Sequence, residues 1–530
     1  MNTIKEIPYF RSISKILADN SLTKKASLNA LASILDYAAR LVVGFVITPF
    51  MVSVLGDFYY GAWQFLMRLI GYLNPASGRP TQALKMTLAN QQTVADDELK
   101  RRHMGSTIIV WAMFLPIMLG LGGLLTWFAP IWINAPLEYF LPIRLSAAIL
   151  VINLVVYNLT ILPQSVLEGE NLGYKRMGAS ALLVLLGGGL TWLALYLKTG
   201  IAGVAVSNLT LTLITGIFWL RVMRTNVPWV GVARPSYEET RKFLGLSLWF
   251  LGWNLLMTLM TASDVVVLGL LKSAEMVTSY TLTKYAPETL ISIIAIMAFG
   301  IAPGLGGIIG SGMLEKATRV RGEIWAFTWL IVTVIGTTIL IWNRAFIGLW
   351  VGADHYVGTI PNLLIIIVVM QFVLIRNDSN VIDLTLRLNR KVTIGAISVA
   401  ISLTLACILV GYFDWGVVGL SLGIFIGRLI LSVGYPVMVG RSLGISLVSQ
   451  LKSAIRPSLV TILLFGLATM ADESSSISHW VNAQGWIGFL FFAGITFVVI
   501  LLLAYYLGLP SKPRKRILRR IRGVITKEQE

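Results

Sequence analysis

The chain has 530 residues, 56% of them hydrophobic and 13% charged, with a formal net charge of +18 and a mean hydropathy of +0.78. This balance excludes a soluble globular domain and describes a polytopic membrane protein. The single cysteine, Cys407, excludes a disulfide framework and is expected to be a small packed side chain.

Residues 1–25 mix both signs of charge and lack an apolar run, so they read as a cytoplasmic N-terminal segment rather than a cleavable signal peptide. The first apolar span then serves as an uncleaved anchor. Apolar stretches of about 20 residues predict fourteen helices, starting near Ala26, Phe58, Ser106, Phe140, Met177, Ile201, Phe243, Val277, Gly322, Thr359, Val392, Gly416, Pro457 and Trp486. They divide into an N-lobe of six helices over 26–224, a cytoplasmic linker over 225–242, and a C-lobe of six over 243–441. Two further helices fill 442–510, and a basic cytoplasmic tail covers 511–530.

The positive charge is sorted by loop. One side carries Lys24, Lys25, Lys100, Arg101, Arg102, Lys175, Arg176, Arg221, Arg224, Arg234, Lys316, Arg319, Arg321, Arg387, Arg390, Lys391, Arg441, Lys452, Arg456 and the tail from Arg514. The other side holds only Lys198, Lys272 and Arg344. The positive-inside rule therefore puts both termini in the cytoplasm, and no nucleic-acid partner is needed to explain the net charge. The tail reads as a lipid-headgroup anchor.

An internal repeat organises the chain. Gly200 and Gly203 open one span as Gly416 and Gly419 open another. Leu167 to Lys175 closes one as Asp383 to Lys391 closes another, and Tyr60 to Trp63 followed by Arg68 matches Val277 to Tyr280 followed by Lys284. Three matches in the same order at an offset of 216 or 217 residues imply two parallel six-helix lobes, the arrangement of carriers whose site lies between lobes.

Seven basic residues lie in or beside apolar spans: Arg40, Arg68, Arg79, Arg144, Lys284, Arg376 and Arg428. Burying a cation in hydrocarbon costs from about 2.5 to over 10 kcal/mol, so each must snorkel, pair with an acid or line a wet cavity. Arg79 and Arg376 fall near the cytoplasmic edge and Arg144 near the outer one, where snorkelling suffices. Arg40, Arg68, Lys284 and Arg428 lie deeper. Asp36 stands one turn from Arg40 and Glu288 one turn from Lys284, so local ion pairs account for both as readily as a substrate does. Asp264 is read near the outer edge, and Asp378 and Asp383 near the inner one. The deep count is then four bases to two acids, a surplus that suits an anion such as phosphate or diphosphate. Tyr37, Trp63, Tyr72, Trp249, Trp253, Tyr280 and Tyr285 interleave with these charges, as sugar-stacking faces or simply as helix packing. Pro49, Pro75 and Pro287 supply bends nearby.

No phosphate-binding G-x-x-x-x-G-K-[S/T] loop occurs, and His103, His355 and His479 have no metal-ligand spacing, so no cofactor is called for. Outward loops are too short for a lipid-sugar polymerase or ligase, which argues against an enzyme.

Ser27 to Ala30, Gly44 and Pro49 in the first span, Leu55-Gly56 and Tyr60 to Trp63 in the second, Glu168-Gly169 with Lys175, and Gly200 with Gly203 complete the pattern. With these residues and its twelve-plus-two layout, the chain resembles the multidrug/oligosaccharidyl-lipid/polysaccharide (MOP) flippase superfamily, and within it the polysaccharide-transporter (Wzx-type) branch. The resemblance implies an all-α, MATE-like pair of lobes in a V, with helices one, two, seven and eight lining a central cavity. It implies transport of undecaprenyl-diphosphate-linked oligosaccharide across the bacterial inner membrane by alternating access, for O-antigen, capsule or exopolysaccharide assembly. Arg40, Arg68 and Lys284, with Arg79 and Arg376, become the expected substrate-binding residues, and Asp36 and Glu288 the expected gating or ion-coupling acids. H⁺ or Na⁺ is the expected coupling ion, and membrane lipids and polymerase or assembly proteins are the expected partners. A drug or metabolite antiporter and a peptidoglycan-precursor flippase of the same superfamily are the alternatives. A major-facilitator carrier would show a Gly-x-x-x-Asp-Arg loop after the second helix, where this chain has residues 90–97 without it.

Overall fold

The computed structural model describes residues 22–90, 96–173, 178–384, 388–474, 476–509 and 514. The expected basic loop at Lys175 and Arg176, Arg387, residues 1–21 and nearly all of the tail lie outside them, as does the side chain of Trp249.

Most of the described residues are helical, and each of the fourteen predicted spans falls on a helix. In chain order these are α1 (Leu22–Leu73), α2 (Pro80–Asn90), α3 (Asp97–Trp132), α4 (Phe140–Thr160), α5 (Leu162–Gly169), α6 (Ala179–Tyr196), α7 (Gly200–Asn226) and α8 (Tyr237–Leu271). They continue as α9 (Ala274–Gly310), α10 (Leu314–Trp350), α11 (Thr359–Leu384), α12 (Leu388–Cys407), α13 (Gly416–Leu443), α14 (Leu447–Glu473) and α15 (Ser476–Leu503). Twelve segments among the described residues are long and apolar enough to cross a membrane, and one of them, Ile34–Ser77, runs 44 residues. That segment holds two of the predicted spans. It turns at Gly56, whose φ of 74° only glycine adopts without strain.

Helix α14 shows how the sequence selects its surroundings. Thr461, Leu464, Phe465, Ala468 and Asp472 recur at helical spacing and are buried, while Leu459, Ile462, Leu463, Leu467 and Met470 on the opposite face are 58–71% exposed. An apolar stripe of that size suits acyl chains rather than water. Because lipid supplies no hydrophobic drive between helices, hydrogen bonds hold the inner face. The Trp329 indole N–H of α10 donates to the Thr461 hydroxyl at 2.9 Å, and the hydroxyls of Thr333 and Thr461 are 2.7 Å apart. Cys407, expected to be packed, is exposed instead, at the C-terminal end of α12.

The chain forms two compact units, neither of them one continuous stretch. The first comprises Met1–Phe50, Leu73–Trp127 and Leu141–Gly252, and the second Met51–Tyr72, Phe128–Phe140 and Trp253–Glu530. The core of the first unit gathers Leu84, Leu88, Val166, Trp219, Met223 and Phe243. In the second, separate cores form around Leu268, Val277 and Leu420, around Leu290, Val332 and Phe465, and around Ile382, Leu431 and Tyr435.

Candidate substrate site

The second unit brings the embedded charges together through a hairpin. Only Lys272 and Ser273 separate α8 from α9, so the two helices run antiparallel and residues equidistant from the turn face each other. This sets Asp264 opposite Tyr280, whose hydroxyl donates to Asp264 Oδ2 at 2.7 Å. Helical side chains lean toward the N-terminus of their helix. Lys284, one turn further along, therefore leans back and also reaches Asp264 Oδ2. Its Nζ lies 3.3 Å from Glu288 Oε1 as well, through the expected one-turn spacing.

The part of α1 after Gly56 lays one stripe against this hairpin. Gly61, Phe65, Arg68 and Tyr72 follow the spacing of a single helix face. A Cβ on Gly61 would stand 1.8 Å from the Ala274 carbonyl oxygen, so only glycine permits that approach. Phe65 fills the space beside Gly269, where a Cβ would meet its ring at 2.2 Å. Arg68 Nη2 then reaches Glu288 Oε1 at 3.3 Å, and the Tyr72 hydroxyl donates to Ser263 Oγ at 2.8 Å.

The side chains of Lys284 and Asp264 are 10% and 9% exposed, those of Arg68 and Glu288 30% and 38%. A closed pair thus lies beneath an open one. Arg428 of α13 donates to the Met260 carbonyl oxygen at 2.5 Å, with its guanidinium 5.1 Å from the centre of the Phe372 ring.

Asp264 corrects the expected charge count. It belongs to the ion network of Lys284 rather than standing apart near an outer edge, which makes the deep charges four bases to three acids. Arg68, Lys284, Asp264 and Glu288 are formally neutral together. The one deep base left over is Arg428, and Arg376 adds a further cation nearer the edge. Arg376 has no carboxylate partner among the described residues and donates to Met257 Sδ at 3.6 Å.

Arg40 and Asp36 belong to the first unit, on the part of α1 before Gly56. They line a cavity of about 320 Å³ together with residues of α4 to α7, among them Tyr157, Gln164, Thr212 and Thr215. Arg79, also in this unit, has a left-handed φ of 53° and donates to Asn74 Oδ1 at 3.2 Å. Burial lowers its pKa, and the Tyr157 hydroxyl nearby partly offsets this. Of the expected binding residues, then, Arg68 and Lys284 share an acceptor, while Arg40 and Arg79 lie in the first unit and Arg376 stands on α11.

Along the sequence Asp264 stands near the end of its span and reads as peripheral. Counting from the two-residue turn instead pairs it with Tyr280.

No protein-family model matches the chain, and no curated protein matches it. Solved structures do. The lipid II flippase MurJ in an inward closed conformation aligns with a TM-score of 0.64 at 13% identity, over 89% of this chain and 97% of that one. An inward-facing multidrug resistance MATE family transporter of the MOP superfamily aligns with a TM-score of 0.59 at 16% identity, over 78% and 98%. A MATE transporter in complex with MaD3S aligns with a TM-score of 0.53 at 16% identity, over 79% and 96%. The chain therefore has the fold of the MOP-superfamily transporters.

Proposed function

We propose that the chain is a flippase of the polysaccharide-transporter branch, carrying undecaprenyl-diphosphate-linked oligosaccharide across the bacterial inner membrane with both termini cytoplasmic. The observation that carries this reading is the sharing of Glu288 by Arg68 of α1 and Lys284 of α9. With Asp264 counted, the two cations and the open carboxylate form a neutral resting arrangement that a diphosphate can enter by replacing Glu288. Arg68 offers a planar fork that suits two phosphate oxygens, while Lys284 adds a point charge and stays tied to Asp264. A ligand shifts a carrier between end states only through contacts that differ between them, and an exchangeable acid supplies such a contact. The lobes over 26–224 and 243–441, related by the repeat, are the elements proposed to rock. The sorted loop charge supports the assigned orientation.

The test is complementation of a strain lacking its repeat-unit flippase, with surface polysaccharide as the readout. Restored polymer with the parent chain and none with Arg68→Ala at equal expression supports the proposal. Efflux of cationic drugs by the purified protein, without lipid flipping, would favour the antiporter reading instead.

A further inference from the structure

The cavity of the first unit has a chemistry unlike that of the ion network. Half open, it is lined among others by Asp36 and Arg40 of α1, Tyr157 of α4, Gln164 of α5, Ser180 of α6, and Thr212 and Thr215 of α7. Its one cation and one carboxylate balance, and the remaining polar groups are neutral hydroxyls, an amide and the Trp219 indole.

Several hydroxyls in this protein turn back onto their own helix, as Thr225 does onto the Arg221 carbonyl at 2.9 Å and Ser207 onto that of Gly203 at 3.0 Å. Among the described residues, those of Ser180, Thr212 and Thr215 make no hydrogen bond within the protein. Gln164 donates its amide to Glu168 Oε1 at 2.9 Å, and Lys85 holds the other oxygen of Glu168 at 2.7 Å. The Gln164 side chain is thereby oriented. Tyr157 is 41% exposed and presents an aromatic face.

Hydroxyls without partners in membrane-spanning helices are costly unless something enters to bond them. At roughly 30 Å³ per water the cavity has room for about ten waters, or for a sugar ring with its hydroxyls. The repeat sharpens the contrast. At its offset of 216 residues, Thr212 corresponds to Arg428 and Thr160 to Arg376. The same framework is thus neutral and hydroxylated in the first unit and cationic in the second.

We infer that this cavity is a saccharide subsite, which takes a neutral sugar of the lipid-linked substrate through Ser180, Thr212, Thr215 and Gln164, with the Tyr157 ring against a face of the sugar. The inference rests on the flippase reading and adds to it the residues that select the glycan. An anion would call for more N–H donors and net positive charge, and a cationic drug for an unpaired acid. A polyol needs groups that both donate and accept, and hydroxyls do.

The test measures the affinity of purified parent protein in nanodiscs for undecaprenyl diphosphate, bare or carrying one glucose, galactose or N-acetylglucosamine. At least one glycosylated lipid should bind about tenfold more tightly than the bare one, the effect of two or three net hydrogen bonds. Thr212→Val combined with Thr215→Val should shrink that ratio to near one, and Thr212→Ser combined with Thr215→Ser should preserve it. Gln164→Leu is a second route to the same loss. Equal binding of all four lipids by the parent, or a ratio untouched in both the valine pair and Gln164→Leu, overturns the saccharide subsite and leaves the diphosphate reading standing. Binding of none of the four lipids overturns the flippase reading and this inference with it.

Discussion

Arg68 and Glu288 are 220 residues apart in sequence, yet their charged atoms lie 3.3 Å apart, on the one Glu288 oxygen that Lys284 also approaches. Both side chains are about one-third exposed, whereas Lys284 and Asp264 beneath them are closed off. Exchange is therefore cheap at the open pair and expensive at the closed one.

The guanidinium fork of Arg68 is the group with most to offer a diphosphate. Arg68→Ala should abolish flipping of undecaprenyl-diphosphate-linked substrate in liposomes, and Arg68→Lys should restore only part of it. Full activity of the alanine variant at normal expression would remove Arg68 from the substrate site.

Asp264 should act on stability. Asp264→Asn leaves Lys284 buried with only the more open Glu288 as counter-ion, and loss of one partner of a buried pair costs about 3–5 kcal/mol. The melting temperature in detergent should fall clearly. Adding Lys284→Met should recover most of the loss, because the stranded charge goes with it. A single variant as stable as the parent would mean that Asp264 and Lys284 are weakly coupled.

Energy coupling is read on Glu288, which either of two cations can hold ionised and substrate can displace. Flipping in liposomes should respond to an imposed proton or sodium gradient, and Glu288→Gln should lose that response. Rates in the parent that ignore both gradients would make Glu288 only the counter-ion of Arg68 and Lys284.

Asp36 and Arg40 give a test of position against pairing. Combining Asp36→Arg with Arg40→Asp keeps one charge of each sign on the helix but moves the cation by one turn along the cavity wall. Transport should fall at least about tenfold if the cation must stand where Arg40 stands, since a 1 Å misplacement can cost 10²-fold. Retained transport would show that only a local charge pair is needed there.

Much of this architecture is legible along the chain because lipid imposes strict local rules. Apolar length marks thirteen of the predicted crossings among the described residues, and all fourteen predicted spans meet helices. The repeat at 216 residues pairs Arg68 with Lys284 before any coordinates are known. One-turn spacing alone announces Lys284 with Glu288, which the structure contains.

Other relationships are not written in spacing. Asp264 looks peripheral when counted along α8 and enters the network only because a two-residue turn folds α9 back against it. Arg68 finds its acid because Gly61 lets α1 close on the start of α9, a contact set by the absence of a single Cβ. Arg428 needed some partner by its depth, but that it is the Met260 carbonyl oxygen depends on how α13 packs against α8. The sequence alone determined which residues are charged and which helices carry them, since hydrocarbon penalises each residue individually. Only the tertiary structure decided which charges neutralise one another and which hydroxyls are left for a ligand, because partners on different helices are chosen by packing.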